Sequence, residues 1–102
     1  MKFTIEPNEL YYEDDKIRNK TVQITYPNHK LGVVNINYVF VDHKYRGQGI
    51  ATEAMNQLYE YLKEHQIKVI ATCSYALKWF DKNPDKQNIL MKEHQIRGDN
   101  DV

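Results

Sequence analysis

The sequence predicts an α+β domain: a mostly antiparallel sheet with one βαβ unit and two to three helices. Three observations carry this expectation. Up to Val41 the chain runs in short stretches that alternate apolar and polar residues, the period of a half-buried strand. From Gly49 onward apolar residues recur every three or four positions, the period of an amphipathic helix. A short apolar run, "KVIATC", then separates that helix from a second helically spaced stretch, which makes strand, helix and strand a crossover unit.

Element by element, "KFTIE" at residues 2–6 alternates and reads as a first strand, broken by Pro7 and Asn8. "ELYYED" reads as a second short strand. "TVQITY" places Val22, Ile24 and Tyr26 on one face and is a clear third, closed by the turn-rich "PNHKLG". "VVNINYVFV", residues 33–41, is β-branched and aromatic and is expected to be one continuous fourth strand. Such closely spaced strands pair most simply as antiparallel hairpins. Ile50, Ala54, Leu58 and Tyr61 or Leu62 form the apolar face of a helix reaching about His65. "SYALKWFDKN" resumes helical spacing through Tyr75, Leu77, Trp79 and Phe80 until Asn83-Pro84 stops it. A further short helix fits around Asn88 to Lys92. Residues 1–95 are expected to form one domain, and 96–102 a disordered tail with nothing to pack.

Gross properties narrow the function. A chain of 102 residues has room for one core that buries roughly 65% of the unfolded surface. Fourteen basic residues balance fourteen acidic ones, which argues against a nucleic-acid footprint or an anionic membrane as partner. No apolar run approaches the ~18 residues of a spanning helix. The N-terminus turns acidic before a secretory segment could form, and a single cysteine, Cys73, cannot make an internal disulfide. A reducing cytoplasm is the expected setting. His29, His43, His65 and His94 share no ligand spacing and have no cysteine partner, so no metal site is expected.

Two of the four glycines, Gly47 and Gly49, fall at one strand-to-helix junction, "YRGQGIA". A helix start leaves backbone N–H groups without partners, and with the helix dipole these form an anion site. Glycines let that backbone approach a phosphate closely, and Arg46 adds a charged planar fork. "RGQGIA" therefore reads as a phosphate cradle; the alternative is a turn that merely reverses the chain. A nucleotide P-loop would need a Lys and a hydroxyl that are missing here, and a Rossmann fingerprint would need a further glycine where the chain has Ala51 and its neighbours.

Arg46-Gly47-Gln48-Gly49-Ile50-Ala51 resembles the R/Q-x-x-G-x-G/A signature of the GNAT superfamily of acyl-CoA N-acyltransferases, and lies where that superfamily has it, between the fourth strand and the next helix. "VDHKYRGQGIA", followed by "ATCSYALKWFDKNP", is further similar to a group of very small, single-domain GNAT-like proteins with a Cys-x-Tyr at the end of the fifth strand. The resemblance covers residues 33 to about 90 well and the earlier strands only by pattern. It implies a minimal GNAT-like fold in which loop amides at Arg46 to Ala51 hold the diphosphate of acetyl-CoA. The pantetheine arm would then lie beside a fourth strand splayed from the fifth. It also implies a backbone N–H around Val39, Phe40 and Val41 that polarises the thioester carbonyl. Two departures stand out. The helical segment that larger relatives place between the first two strands is missing, and Asn37-Tyr38 stands where small relatives carry His-Thr, so the resemblance supplies no base there.

The same resemblance places Cys73 and Tyr75 at the reaction centre. Tyr75 is the candidate general acid for the leaving thiolate, or a packing residue. Cys73 lies at a helix start, which lowers a thiol's pKa, and is a candidate acyl-enzyme nucleophile, a pocket-lining residue or a buried small hydrophobe. His43 reads as a solvated loop residue or a phosphate contact, and Trp79 as core or as a flank of the cleft. The function implied is transfer of acetyl from acetyl-CoA to an amine by a monomer or weak dimer; the alternatives are a CoA-binding module without turnover and an interaction domain without ligand.

Overall fold

The structure, a computed structural model, describes residues 1–91. The expected tail at 96–102, the domain end at 95, Lys92 and His94 lie outside the described residues. The elements run β1 (Thr4–Glu6), β2 (Glu9–Glu13), β3 (Lys20–Thr25), β4 (Asn28–Lys30), β5 (Val33–Ile36), β6 (Tyr38–Val41), a 3₁₀ turn at His43–Tyr45, α1 (Ile50–Glu64), β7 (Lys68–Ala71), α2 (Ser74–Lys82) and a 3₁₀ segment at Pro84–Ile89. The α+β class stands, with antiparallel pairing dominant and one parallel crossover, β5–α1–β7.

The single strand expected over 33–41 is two strands in two sheets. β6 closes an antiparallel sheet of order β1-β2-β3-β6, whereas β5 sits between β4, antiparallel, and β7, parallel. The break is Asn37. Its amide donates to the Thr25 carbonyl at 3.2 Å, although Thr25 already stands opposite Tyr38, so two residues face one in a bulge. The Asn37 side-chain oxygen accepts from the Thr25 hydroxyl at 2.5 Å, holding the bulge closed. On the other side, the Ile36 carbonyl accepts from both Thr72 and Cys73, at 3.2 and 3.3 Å. Past that shared bond β6 leaves β7. β4, inside the stretch expected to be only a turn, is three exposed residues that exist as a strand by pairing with β5.

One core serves both sheets. Leu10, Val22, Ile24 and Tyr26 from the first sheet meet Val34, Ile36, Val69 and Ala71 from the second beneath α1 and α2. α1 buries Ile50, Ala54, Met55, Leu58, Tyr59 and Leu62, the face its periodicity predicts, with each large side chain contributing about 2 kcal/mol. It ends with Gln66 at φ 58°, in the position a glycine usually takes, while the amides of Gln66 and Ile67 bond to Lys63 and Leu62. α2 buries Ala76, Trp79 and Phe80 and stops at Asn83-Pro84. The segment expected to be helical around 88 is instead a 3₁₀ turn followed by extended Leu90, which bridges to Val69. Among the described residues no helix is long and apolar enough to cross a membrane.

Candidate functional site

Backbone geometry builds the site. Gly47 and Gly49 both adopt left-handed φ, 79° and 74°, which non-glycine residues rarely take. Apart from the glycine and its chain neighbours, no atom lies within 4 Å of where a Cβ would stand on either, so the loop faces open space. Gly49 caps α1 without a side-chain acceptor, and the first intrahelical bond runs from the Glu53 amide to the Gly49 carbonyl at 3.0 Å. The amides of Ile50, Ala51 and Thr52 are therefore the orphan donors of a helix start. A cavity of about 220 Å³ opens over them, lined by Val41, Tyr45, Arg46, Gly47, Gly49, Ile50, Ala51, Thr52 and Tyr75.

A second cavity, about 280 Å³, shares Val41, Arg46, Ala51 and Tyr75 with the first and adds Val39 and Phe40. The two form one cleft from the glycine loop along the free edge of β6. Alternate residues of an antiparallel ladder turn their N–H groups to the partner. Asp42 donates to Thr21 of the β3 side at 2.8 Å, so by register Phe40 also faces β3 while Val39 and Val41 face the cleft. Arg46 Nε donates to the Val41 carbonyl at 2.9 Å, occupying an edge acceptor and laying the guanidinium along the strand. Phe40 offers the cleft its ring, stacked parallel to Tyr38 at 6.3 Å.

The remaining sequence-predicted residues separate. Tyr75, in the first turn of α2, is exposed and lines both cavities. Cys73 is half-buried, packs against the core and lines neither. Gln48 contributes backbone to the loop, while its side chain donates back to the Lys44 carbonyl at 3.1 Å. His43 is solvated, 3.7 Å from the Asp42 carboxylate. Trp79 is 4% exposed and edge-on to Phe80, a core residue rather than a flank of the cleft. Among the described residues no three His, Cys, Asp or Glu side chains are placed to hold a metal.

Sequence reasoning gave no role to Tyr45, whose side chain lines the cleft at its loop end. Its hydroxyl donates to Asp14 Oδ2 at 3.0 Å, and its ring meets Tyr12 edge-on at 6.4 Å. The Asp14 carboxylate is held below its ordinary range by the Lys16 amide first, then by Tyr45 and the Ile17 amide. The same bond to Asp14 raises the Tyr45 phenol. The only sequence signal was an aromatic residue directly before Arg46; its partner is 31 positions away.

With this geometry in place, comparison with known protein families matches residues 9–89 to the GCN5-related N-acetyl-transferase family. The solution structure of a GCN5-like candidate N-acetyltransferase from Staphylococcus aureus superposes with TM-score 0.72 at 26% identity, over 88% of this chain and 87% of that one. Tetrahymena GCN5 gives 0.58 at 14% identity over 78% and 57%, and a GNAT-family acetyltransferase from Staphylococcus aureus Mu50 gives 0.56 at 16% over 74% and 50%. These last two show the shared fold alone. No curated protein matches the sequence.

Proposed function

The chain belongs to the GCN5-related N-acetyltransferase family, and from that premise we propose that it binds acetyl-CoA and transfers the acetyl group to an amine. One observation carries the reading: the glycine loop, the orphan amides of α1, the free edge of β6 and the Tyr75 side chain all border one cleft. The open space over both glycines and the unpartnered donors fit a diphosphate, and the edge of β6 fits an extended amide-bearing arm.

In this reading Gly47, Gly49, Ile50 and Ala51 hold the diphosphate through backbone N–H groups, with Arg46 adding charge at the mouth. Acetyl-CoA supplies an activated acyl group as a thioester. The chain's own contribution is positional and electrostatic. The edge amides of Val39 and Val41 are donors for the acyl oxygen as negative charge develops on it. As the amine N–C bond forms and the C–S bond breaks, the nitrogen gives up a proton and the leaving sulfur takes one. Tyr75 Oη is the donor for that sulfur. Cys73, half-buried at the N-cap of α2, acts by packing against the core; an acyl-enzyme would require its thiol to turn into a cavity it does not line.

A second reading, CoA binding without turnover, has one observation in its favour. Among the described residues lining the two cavities there is no carboxylate and no histidine to take the amine's proton. The amine must then arrive neutral or lose its proton to water. Calorimetry with acetyl-CoA, followed by thiol release in the presence of a panel of amines, separates the readings. Binding with release supports catalysis, and binding without release for every amine supports the second reading. The absence of binding removes both.

A further inference from the structure

We propose that Asp14 is a positioning residue for the glycine loop, acting through the hydroxyl of Tyr45, and so sets the loop's affinity for its ligand. The inference rests on reading that loop as a diphosphate site.

Asp14 divides its carboxylate between two tasks. Oδ1 accepts from the amides of Lys16 at 2.8 Å and Ile17 at 3.3 Å, closing the turn between β2 and β3. The turn is tightened further by Arg18 N donating to Asp14 O at 2.7 Å and Asp14 N donating to Asn19 O at 3.0 Å. With its own position fixed in this way, Asp14 presents Oδ2 to Tyr45 as a rigid acceptor. The Tyr45 ring rests edge-on against Tyr12 of β2, so the phenol is held at both ring and hydroxyl.

The glycine loop needs such an anchor. Arg46 to Gly49 are exposed, none of the 3₁₀ turn before them is buried, and two of the four are glycines with the largest conformational freedom to lose. The side-chain ties within the loop are Arg46 to Val41 and Gln48 to Lys44, both reaching back a few positions along the same segment. Tyr45 carries a side-chain hydrogen bond from the start of the loop to a separate hairpin, where the Lys44 charge also favours the Asp14 carboxylate. A donor set that is already arranged loses less entropy on capturing an anion, so an anchor at Tyr45 appears as affinity.

The test is coenzyme A affinity, measured by calorimetry on the full chain and on Tyr45→Phe, Asp14→Ala, Asp14→Asn and the Tyr45→Phe/Asp14→Ala pair. Tyr45→Phe keeps the ring on Tyr12 and removes only the hydroxyl. It and Asp14→Ala are each expected to weaken binding by about three- to tenfold, and the pair by no more than either alone. Asp14→Asn keeps the turn and can donate to the phenol oxygen, so it restores most of the affinity. In turnover the loss falls on KM for acetyl-CoA and leaves kcat unchanged, a split that a general loss of structure would not produce. Binding by Tyr45→Phe within about twofold of wild type, or additive losses in the pair, overturns this inference alone. A wild-type chain that takes up no coenzyme A overturns the diphosphate reading and this inference with it.

Discussion

β5 and β6 are neighbours in sequence, four residues each, and both read as strand. β5 is hydrogen-bonded on both edges, and Val33, Val34 and Ile36 are buried. Among the described residues β6 is bonded on one edge only, and none of its residues is fully buried. The first half is enclosed and the second half borders the candidate site. The difference comes from one bulge at Asn37, which sends the two halves to different sheets and leaves β6 as the outer strand of its own, with one edge free among the described residues. A free edge is usually an aggregation hazard. Here the Arg46 side chain covers part of it, and the cleft makes the rest available to a ligand.

The comparison can be broken by substitution. The largest expected effect is on stability: Ile36→Ala, at a residue 1% exposed, should cost about 3 kcal/mol in urea unfolding, whereas half-buried Val39→Ala should cost about 1. Equal costs would mean that β6 is as enclosed as β5. Next is Gly49→Asp, which sets a carboxylate against the proposed diphosphate. Coenzyme A affinity should fall about a hundredfold; the new side chain meets open space, but φ 74° strains any non-glycine residue, so the melting temperature should also fall, by about 5 °C. Unchanged affinity would remove the loop from the cleft's function. Tyr75→Phe should lower kcat about tenfold or more with little change in KM, while Cys73→Ala should keep turnover within about twofold. Trapping an acetylated Cys73 by mass spectrometry, with activity lost in Cys73→Ala, would reverse those two roles.

The smallest effect concerns β3, the strand against which β6 rests. On its outer face Glu9 accepts from Lys20 at 2.8 Å and from Gln23 at 2.6 Å. The bond to Lys20 is the main cause holding the Glu9 carboxyl below its ordinary value, with burial opposing it. A carboxylate lowered in the folded state adds stability at pH above its unfolded value, and that stability is lost as pH falls through the lowered one. Glu9→Gln should therefore melt about one degree below wild type near neutrality, with the gap closing in acid. A gap that widens in acid would contradict the assignment.

Much of the candidate site was legible early because it is local. Two glycines beside an arginine, between a β-rich run and a helical period, state a loop's conformation and a helix's free amides within seven residues. Tyr75 was singled out by the Cys-x-Tyr resemblance, and the structure sets it in the first turn of α2, lining both cavities. Asp14 could not, because nothing near it in sequence refers to Tyr45. The separation of Cys73 from Tyr75 was likewise out of reach: they are two residues apart, and only the path of α2 decides which one borders the cleft.

The sequence by itself determined the main strands and both α-helices, the buried face of α1, the single crossover and the glycine turn at the start of α1. Each of these is a matter of period or of backbone torsion over a few positions. Only the tertiary structure decided that 33–41 divides at Asn37, that β4 exists, that Val39 and Val41 rather than Phe40 turn their amides to the cleft, and that Asp14 meets Tyr45. Periodicity reports which side of a strand is buried, because that depends on each residue's own hydrophobicity. It does not report which strand lies alongside, because pairing is settled by hydrogen bonds to backbone groups that are chemically the same in nearly every residue.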